Sequence, residues 1–135
     1  MKYLLDTNTC IFIINRRPDS VRRHLDRLEP GDVGVSSVTV SELAYGVARS
    51  QAVERNQAAL EKFLMVLEVV SYDRTAAAHY GRIRRHLELK GTPIGPMDLM
   101  IAAHGLALGV TVVTHNVAEF KRVPGLRTED WAPRA

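Results

Sequence analysis

The chain has 135 residues, a formal net charge of +3 and a pI near 9.3. This length is enough for one domain with a hydrophobic core, and we assign residues 1–135 to it. The single cysteine, Cys10, excludes an internal disulfide and a cysteine-rich zinc site. Neither a signal-peptide pattern nor an apolar run of the roughly 18 residues that a membrane span needs is present, so we expect a cytoplasmic protein without membrane contact.

Arginines cluster in two stretches, residues 16–27 and 82–85. A mildly basic protein of this kind is compatible with a nucleic-acid partner. Solvated helix faces are the simpler explanation of each cluster taken alone, so the charge does not identify a partner by itself.

The first stretch of interest is a short apolar strand over residues 3–5, which is followed directly by Asp6. An Asp at this point is typical of a turn. The apolar run 10–14 fits either the second strand of a hairpin or a short helix capped within residues 7–9. We favour the helix, because a hairpin turn here would need a glycine and none is present.

The rest of the chain alternates helices and strands. The predicted helices share an apolar stripe and cover residues 19–28 (capped by Asp19 or Ser20), 38–47 (capped by Ser37 or Thr39), 53–67, 73–90 (capped by Asp73 or Thr75), 96–108 and 117–120. The predicted strands share β-branched residues and cover 33–37, 69–71, 110–113 and, as a candidate edge strand, 126–127. We expect Trp131 to anchor the C-terminal end. This alternation predicts an α/β fold with a parallel sheet.

The helix at 96–108 has an unusual pattern. Pro96 suits its first position, and Gly109 suits its end. The residues between are apolar nearly all round, which is typical of a buried helix. Asp98 therefore lies in the first turn of a buried element.

Four polar side chains fall at comparable positions along the predicted sheet. Asp6 and Asn116 follow strands, whereas Glu42 and Asp98 lie near helix N-termini. In a parallel sheet, strand ends and the starts of the following helices share one edge, so these groups converge on one cleft. For Glu42 alone, a first-turn acid that stabilises the helix dipole is the alternative interpretation.

Clustered carboxylates repel one another, and burying them unpaired is costly. A divalent cation such as Mg²⁺ resolves this, because it takes oxygen ligands and binds through one or two carboxylates with waters and phosphates. The chemistry suited to such a site is metal-assisted hydrolysis of a phosphodiester. The arginine clusters then serve as contacts to a nucleic-acid backbone.

Motifs along nearly the whole chain resemble one family, the PIN-domain ribonucleases of the VapC toxin type. The matching segments follow the family's order and are 4–8 (LLDTN), 36–43 (SSVTVSEL), 94–102 (IGPMDLMIA), 113–120 (VTHNVAEF) and 123–131 (VPGLRTEDW). The resemblance implies a PIN-like α/β/α sandwich with a mostly parallel central sheet flanked by helices. It also implies an endoribonuclease that depends on Mg²⁺, with Mn²⁺ as a substitute, and cleaves tRNA or rRNA.

The family's metal-binding positions carry over to Asp6 and Asp98, and its third acid to Glu42. Asn8 and Thr114 correspond to polar residues that support the site. Asn116 stands where many PIN domains have an Asp, so the resemblance makes it a candidate catalytic position with weaker binding of a second metal. Glu119, one helical turn further on, is a candidate for supplying the missing charge.

The resemblance further implies a VapB-like antitoxin as partner, a homodimer, and a larger complex with the antitoxin. We expect the antitoxin in a groove over the apolar helices near residues 40–67, with one side chain reaching the acidic cleft. The competing interpretations are a catalytically inactive RNA-binding or interaction domain and, last, a phosphotransfer-signalling domain. The latter would need a Lys at the end of the last strand, where this chain has Thr114, His115 and Asn116.

Two histidines stand near these motifs. His115 lies at the end of a predicted strand, but the sequence offers it no orienting partner, so we expect a surface side chain or a substrate contact. His104 falls on the buried helix, where we expect a hydrogen-bonded core residue.

Overall fold

The computed structural model describes residues 1–132 and contains seven helices and five strands, with two helices between each of the first four strands. Positions 133–135 of the predicted domain lie outside the described residues. The strands are β1 (Tyr3–Leu5), β2 (Val33–Ser36), β3 (Glu68–Val70), β4 (Thr111–Val113) and β5 (Thr128–Glu129). The helices are α1 (Thr7–Asn15), α2 (Asp19–Asp26), α3 (Ser37–Ala48), α4 (Val53–Leu64), α5 (Arg74–Leu89), α6 (Pro96–Leu108) and α7 (Val117–Phe120).

The strands form one sheet in the order β3-β2-β1-β4-β5, and every pairing in it is parallel. In the central register, Leu5 lies between Val35 of β2 and Val113 of β4. The chain moves outward from β1 through β2 to β3 and then crosses to β4 on the other side. The crevice beyond the ends of β1 and β4 is thus the position where α/β sheets bind ligands.

Helices cover both faces of the sheet, because successive strand side chains point to opposite sides. Leu4 and Val112 face α5 and α6, where they join one buried apolar cluster. Leu5 and Val113 face the other way, into a second cluster with side chains from α1–α4. These layers confirm the predicted sandwich, and the sheet is fully parallel rather than mostly so.

A close approach of α6 to β4 positions the start of α6. Gly105 has no Cβ, and a Cβ built there would lie 2.4 Å from Cγ2 of Val112. Pro96 is the first residue of the helix, and Gly109 ends it in the left-handed conformation at φ 69°. Both ends agree with the sequence prediction. Asp98 is thereby held at the carboxyl edge of the sheet.

The predicted elements are present, and several boundaries differ for local reasons. The helix cap after β2 is Ser36, whose Oγ accepts a hydrogen bond from the Val38 amide at 3.1 Å, so neither Ser37 nor Thr39 caps α3. Pro18 precedes α2 without a side-chain cap, whereas Asp73 caps α5 as predicted.

The last strand was predicted too early, at residues 126–127. The ladder with β4 instead pairs Val112 with Thr128 and Val113 with Glu129. Trp131 follows as a buried anchor and contacts the ring of Tyr3 edge-on. A search of residues 1–132 finds no helix with the length and apolar character needed to cross a membrane.

Candidate active site

Asp6 joins β1 to α1 and is almost fully buried. Its amide donates to the Val113 carbonyl at 3.0 Å, and its Oδ1 accepts a hydrogen bond from the Thr9 amide at 2.8 Å. The helix cap is therefore Asp6 itself and not a residue within 7–9. Burial raises the pKa of Asp6, hydrogen bonds from Thr114 and Thr9 oppose this, and the negative charge of Glu42 adds to it.

Asp98 lies in the first turn of α6, half-buried on the opposite side of the cleft. Its pKa is raised to about 6, mainly by burial and then by the negative charges of Asp6, Glu119 and Glu42. A hydrogen bond from the Asn116 side chain works in the opposite direction. The negative charges of four carboxylates thus interact at the carboxyl edge of the sheet.

Glu42 reaches the cleft from the second turn of α3, because this helix begins at Ser37. The alternative of a first-turn acid stabilised by the helix dipole is therefore wrong. The hydroxyl of Thr7 donates to Oε1 of Glu42 at 2.5 Å. Thr7 was not predictable as part of the site from the sequence, since its partner is 35 positions away and no local pattern links the two residues.

Asn116 precedes α7, and its side-chain amide donates to Glu119. Its backbone amide donates to the hydroxyl of Thr114 at 2.9 Å. Asn116 and Glu119 are thus next to each other at Asp98. Asn8, in contrast, is exposed on α1 and makes no hydrogen bond to the acidic groups within residues 1–132.

The donor set fits a hard divalent cation. It consists of carboxylate oxygens, and the pKa of both Asp6 and Asp98 is raised by burial and, to a smaller extent, by neighbouring negative charge that a cation would neutralise. Within residues 1–132, no three His, Cys, Asp or Glu side chains are close enough to form a preformed ligand cluster. Two carboxylates completed by waters are the arrangement that Mg²⁺ accepts and that Zn²⁺ does not favour.

The two histidines of this region differ. His104 is buried, and its Nδ1 lies 2.8 Å from Oγ of Ser36, as expected for a hydrogen-bonded core residue. Burial lowers the pKa of His104, so its ring stays neutral. His115 is on the surface, as expected, but the structure supplies the orienting partner that the sequence did not indicate, because its Nδ1 lies 3.1 Å from Oδ2 of Asp130. That carboxylate follows β5, a strand whose position the sequence did not predict.

A groove of about 570 Å³ runs from the cleft between α1, α3 and α4. Thr7 and Glu42 line it at the cleft, and Ile11, Tyr45 and Leu60 line it further along. Ile11 and the ring of Tyr45 are exposed there. The groove is therefore mostly apolar and is acidic at the end where Glu42 lies, with Arg49 and Asn56 also in its lining.

Comparison with known proteins gives one consistent family. The PIN domain family model matches residues 3–126. The tRNA(fMet)-specific endonuclease VapC of Salmonella typhimurium is 50% identical over 131 residues, which are 97% of this chain and 98% of the relative. Ribonuclease VapC2 of Rickettsia felis is 43% identical over 132 residues and covers 97% of this chain and 98% of its own.

Solved structures agree with these relatives. DNA-bound VapBC from Salmonella typhimurium superposes with a TM-score of 0.93 at 49% identity, covering 98% of this chain and 99% of the other. VapBC-5 from Mycobacterium tuberculosis, a member of the VapBC family of toxin-antitoxin systems, gives a TM-score of 0.71 at 25% identity and covers 98% of both chains.

Proposed function

Since this chain belongs to the PIN-domain family and, within it, to the VapC ribonucleases, we propose that it is a metal-dependent endoribonuclease. It hydrolyses phosphodiester bonds of RNA and acts as the toxin of a toxin–antitoxin pair in the cytoplasm. The observation that carries the proposal is the convergence of Asp6, Asp98 and Glu42 at the switch point of the sheet, where burial and mutual repulsion raise the pKa of both Asp residues.

Asp6 and Asp98 would hold the metal, Mg²⁺ with Mn²⁺ as a substitute. When bound, such an ion lowers the pKa of a coordinated water and stabilises charge on phosphate oxygens. Glu42 and Glu119 add negative charge to the cleft, and Glu119 compensates for the neutral Asn116. Catalytic function is thereby assigned to Asp6, Asp98, Glu42 and Asn116.

The neighbouring hydroxyls and amides keep these acids in place. Thr114 and Thr9 hydrogen-bond to Asp6, and Thr7 holds Glu42 by a short hydrogen bond of 2.5 Å. The bonds to Asp6 stabilise its ionised form, which is the form that binds a cation, and the bond to Glu42 fixes the orientation of its carboxylate. Asn8 lies at the periphery of the site and does not hold these acids in place, because its side chain lies outside this hydrogen-bond network.

We infer a tRNA as the substrate, with rRNA as the other candidate. The inference rests on the name of the Salmonella relative, a tRNA(fMet)-specific endonuclease at 50% identity. A folded RNA also suits the mildly basic charge of the chain, because phosphate contacts from arginine and lysine dominate affinity for nucleic acids.

The partner we propose is a VapB-like antitoxin, as the VapBC structures suggest. The groove between α1, α3 and α4 suits an amphipathic antitoxin segment, because apolar contacts along it lead to Glu42. A basic antitoxin side chain would pair with Glu42 there and close the cleft. We further propose that the toxin forms a homodimer within a larger complex with the antitoxin.

The test is cleavage of a tRNA(fMet) transcript by the purified protein, with Mg²⁺ and with EDTA. Asp6→Asn removes one negative metal ligand while keeping the shape of the side chain. Asp26→Asn, at an exposed position at the end of α2, is the matched control. We expect cleavage by the wild type and the control only with Mg²⁺, and none by Asp6→Asn.

Sequencing the new 5′ ends identifies the cut position, and total bacterial RNA replaces the transcript if the cut lies in another RNA. Cleavage that persists in EDTA or in Asp6→Asn would contradict the metal-dependent mechanism. RNA binding without any turnover would favour an inactive RNA-binding domain instead.

A further inference from the structure

One exposed side chain at the carboxyl edge is held in a fixed orientation. His115 follows β4 with its side chain 47% exposed, and its Nδ1 lies 3.2 and 3.1 Å from the two carboxylate oxygens of Asp130. The side chain of Asp130 is only 9% exposed, and it also accepts a hydrogen bond from the Ala132 amide at 2.9 Å. The ring of Phe12 on α1 meets the imidazole edge-on at 5.7 Å between centroids.

His115 borders the acidic cleft along the backbone. Its predecessor Thr114 hydrogen-bonds to Asp6, and its successor Asn116 hydrogen-bonds to Asp98. His115 itself thus lies in the chain between the two residues that bond to Asp6 and Asp98, and its exposed ring is at the carboxyl edge of the sheet between Phe12 and Asp130. An RNA strand held at Asp6 and Asp98 would lie next to this segment.

The contact with Asp130 determines what His115 offers to a ligand. Nδ1–H donates to the carboxylate, which leaves the lone pair of the neutral ring on Nε2. With Nδ1 engaged, the exposed part of the ring is its Nε2 side, so the ring presents a hydrogen-bond acceptor. Phosphate oxygens are acceptors only, whereas the 2′-hydroxyl of RNA is a donor as well.

We propose that Nε2 of His115 accepts a hydrogen bond from the 2′-hydroxyl of a nucleotide beside the scissile phosphate, with Asp130 as the positioning residue. This inference rests on the proposed function and deepens it, because it assigns one contact by which the site distinguishes RNA from DNA. It involves no covalent step.

The experiment uses the RNA that the purified protein cleaves, beginning with the tRNA(fMet) transcript. After the cut is mapped, the transcript is rebuilt by ligation with a single 2′-deoxynucleotide on either side of the cut. Cleavage is then compared for the wild type, His115→Phe and His115→Ala. Because His115 is exposed, we expect its replacement to leave the fold intact, and circular dichroism and thermal melts check this.

We expect one 2′-deoxy substitution to lower kcat/KM of the wild type by about five- to tenfold, the size of one hydrogen bond. Both His115 variants should show a similar loss on the all-ribose RNA and no further loss on the 2′-deoxy RNA. In Asp130→Asn, where the amide no longer dictates which ring nitrogen carries the proton, the 2′-deoxy penalty should become smaller. His79→Phe, on α5, should behave as the wild type does.

Two results would overturn the inference alone: a 2′-deoxy penalty that is as large in the His115 variants as in the wild type, or no penalty in the wild type at either position. An equal loss on every substrate that disappears at high salt would indicate a phosphate contact instead. Absence of Mg²⁺-dependent cleavage by the wild type would instead overturn the proposed function, and this inference with it.

Discussion

Two neighbouring regions of this molecule are built from opposite kinds of interaction. At the carboxyl edge of the sheet, Asp6, Asp98, Glu42 and Glu119 share one negative field, and the two Asp residues carry raised pKa values. Immediately below, α6 packs on β4 so closely that Gly105 leaves no room for a Cβ. The first region is destabilised by like charge, and the second is stabilised by dense apolar packing.

The packed region explains how the fold holds carboxylates close together although they repel one another. Asp98 is attached to α6, and the buried apolar residues of α6 hold that helix against the sheet whether or not a cation is bound. Burial of apolar side chains at about 1.5–3 kcal/mol each exceeds the cost of a partly solvated repulsion. The candidate active site therefore lies where charge repulsion destabilises the fold, and the apolar packing of α6 on the sheet offsets this destabilisation.

The largest expected effect comes from neutralising the acidic edge. Asp98→Asn should lower cleavage more than about a hundredfold, because even mutations around a metal ligand cost about ten- to a hundredfold. The same variant should melt at a higher temperature than the wild type when both are metal-free, since a source of repulsion is removed. A variant that is inactive and also less stable would mean that Asp98 supports the fold rather than burdens it.

The packed region should respond in the opposite way. Gly105→Ala forces a methyl group against Val112 and should cost about 1–3 kcal/mol of unfolding free energy, a fall in Tm of about 3–12 °C. The matched control is Gly81→Ala on α5, where a Cβ meets nothing within 4 Å. This control should stabilise by about 0.5–1 kcal/mol. Equal melting temperatures of the two variants would contradict the close packing of α6.

An intermediate effect is expected at Glu119. If this carboxylate supplies the charge that Asn116 lacks, Glu119→Gln should weaken Mg²⁺ binding by about tenfold, or about 1.4 kcal/mol. Titration calorimetry of Mg²⁺ measures this, with Glu129→Gln on β5 as the control. Unchanged metal affinity and cleavage in Glu119→Gln would remove Glu119 from the site.

The smallest effect concerns pH. In the folded, metal-free protein the pKa of Asp98 is about 6 against an ordinary 3.8. The folded state therefore holds this proton more tightly than the unfolded chain, so the stabilisation that protonated Asp98 contributes is fully present below about pH 4 and is lost as pH rises through 6. Because Asp98 is half-exposed, solvent screening reduces the effect, and we expect about 2–4 °C in Tm.

The measurement for this prediction is a series of thermal melts in EDTA between pH 4.5 and about 7.5, made on the wild type and on Asp98→Asn. The difference in Tm between the two proteins should be small at the acidic end and should grow with pH. A difference that stays constant across the series would show that the ionisation of Asp98 is not its cause.

Much of this fold follows from local sequence patterns. The buried helix from Pro96 to Gly109 was predicted at both ends, because proline and glycine act on the backbone of their own segment. The convergence of Asp6, Asp98 and Glu42 was also predictable, since parallel strands and their following helices share an edge. The site roles of these residues remain a prediction until cleavage is measured.

Contacts between distant segments were not predictable in this way. The hydrogen bond from Thr7 to Glu42 spans 35 positions, and the pair formed by His115 and Asp130 depends on where β5 aligns. The edge strand was predicted at residues 126–127, two positions before the observed pairing of Thr128 and Glu129 with β4, so Asp130 was not recognised as a residue at the end of a strand.

By itself, the sequence determined the succession of strands and helices along the chain and the positions of the carboxylates at their ends. It could do so because periodicity, caps and turn residues act over a few neighbouring residues. Only the tertiary structure decided that Asp6 is a buried cap, that Glu42 lies in the second turn of α3, and that Asp130 orients His115. These outcomes depend on sheet register and on helix packing. The alignment of one strand with its neighbour brings together side chains that are distant in the sequence and that no local pattern connects.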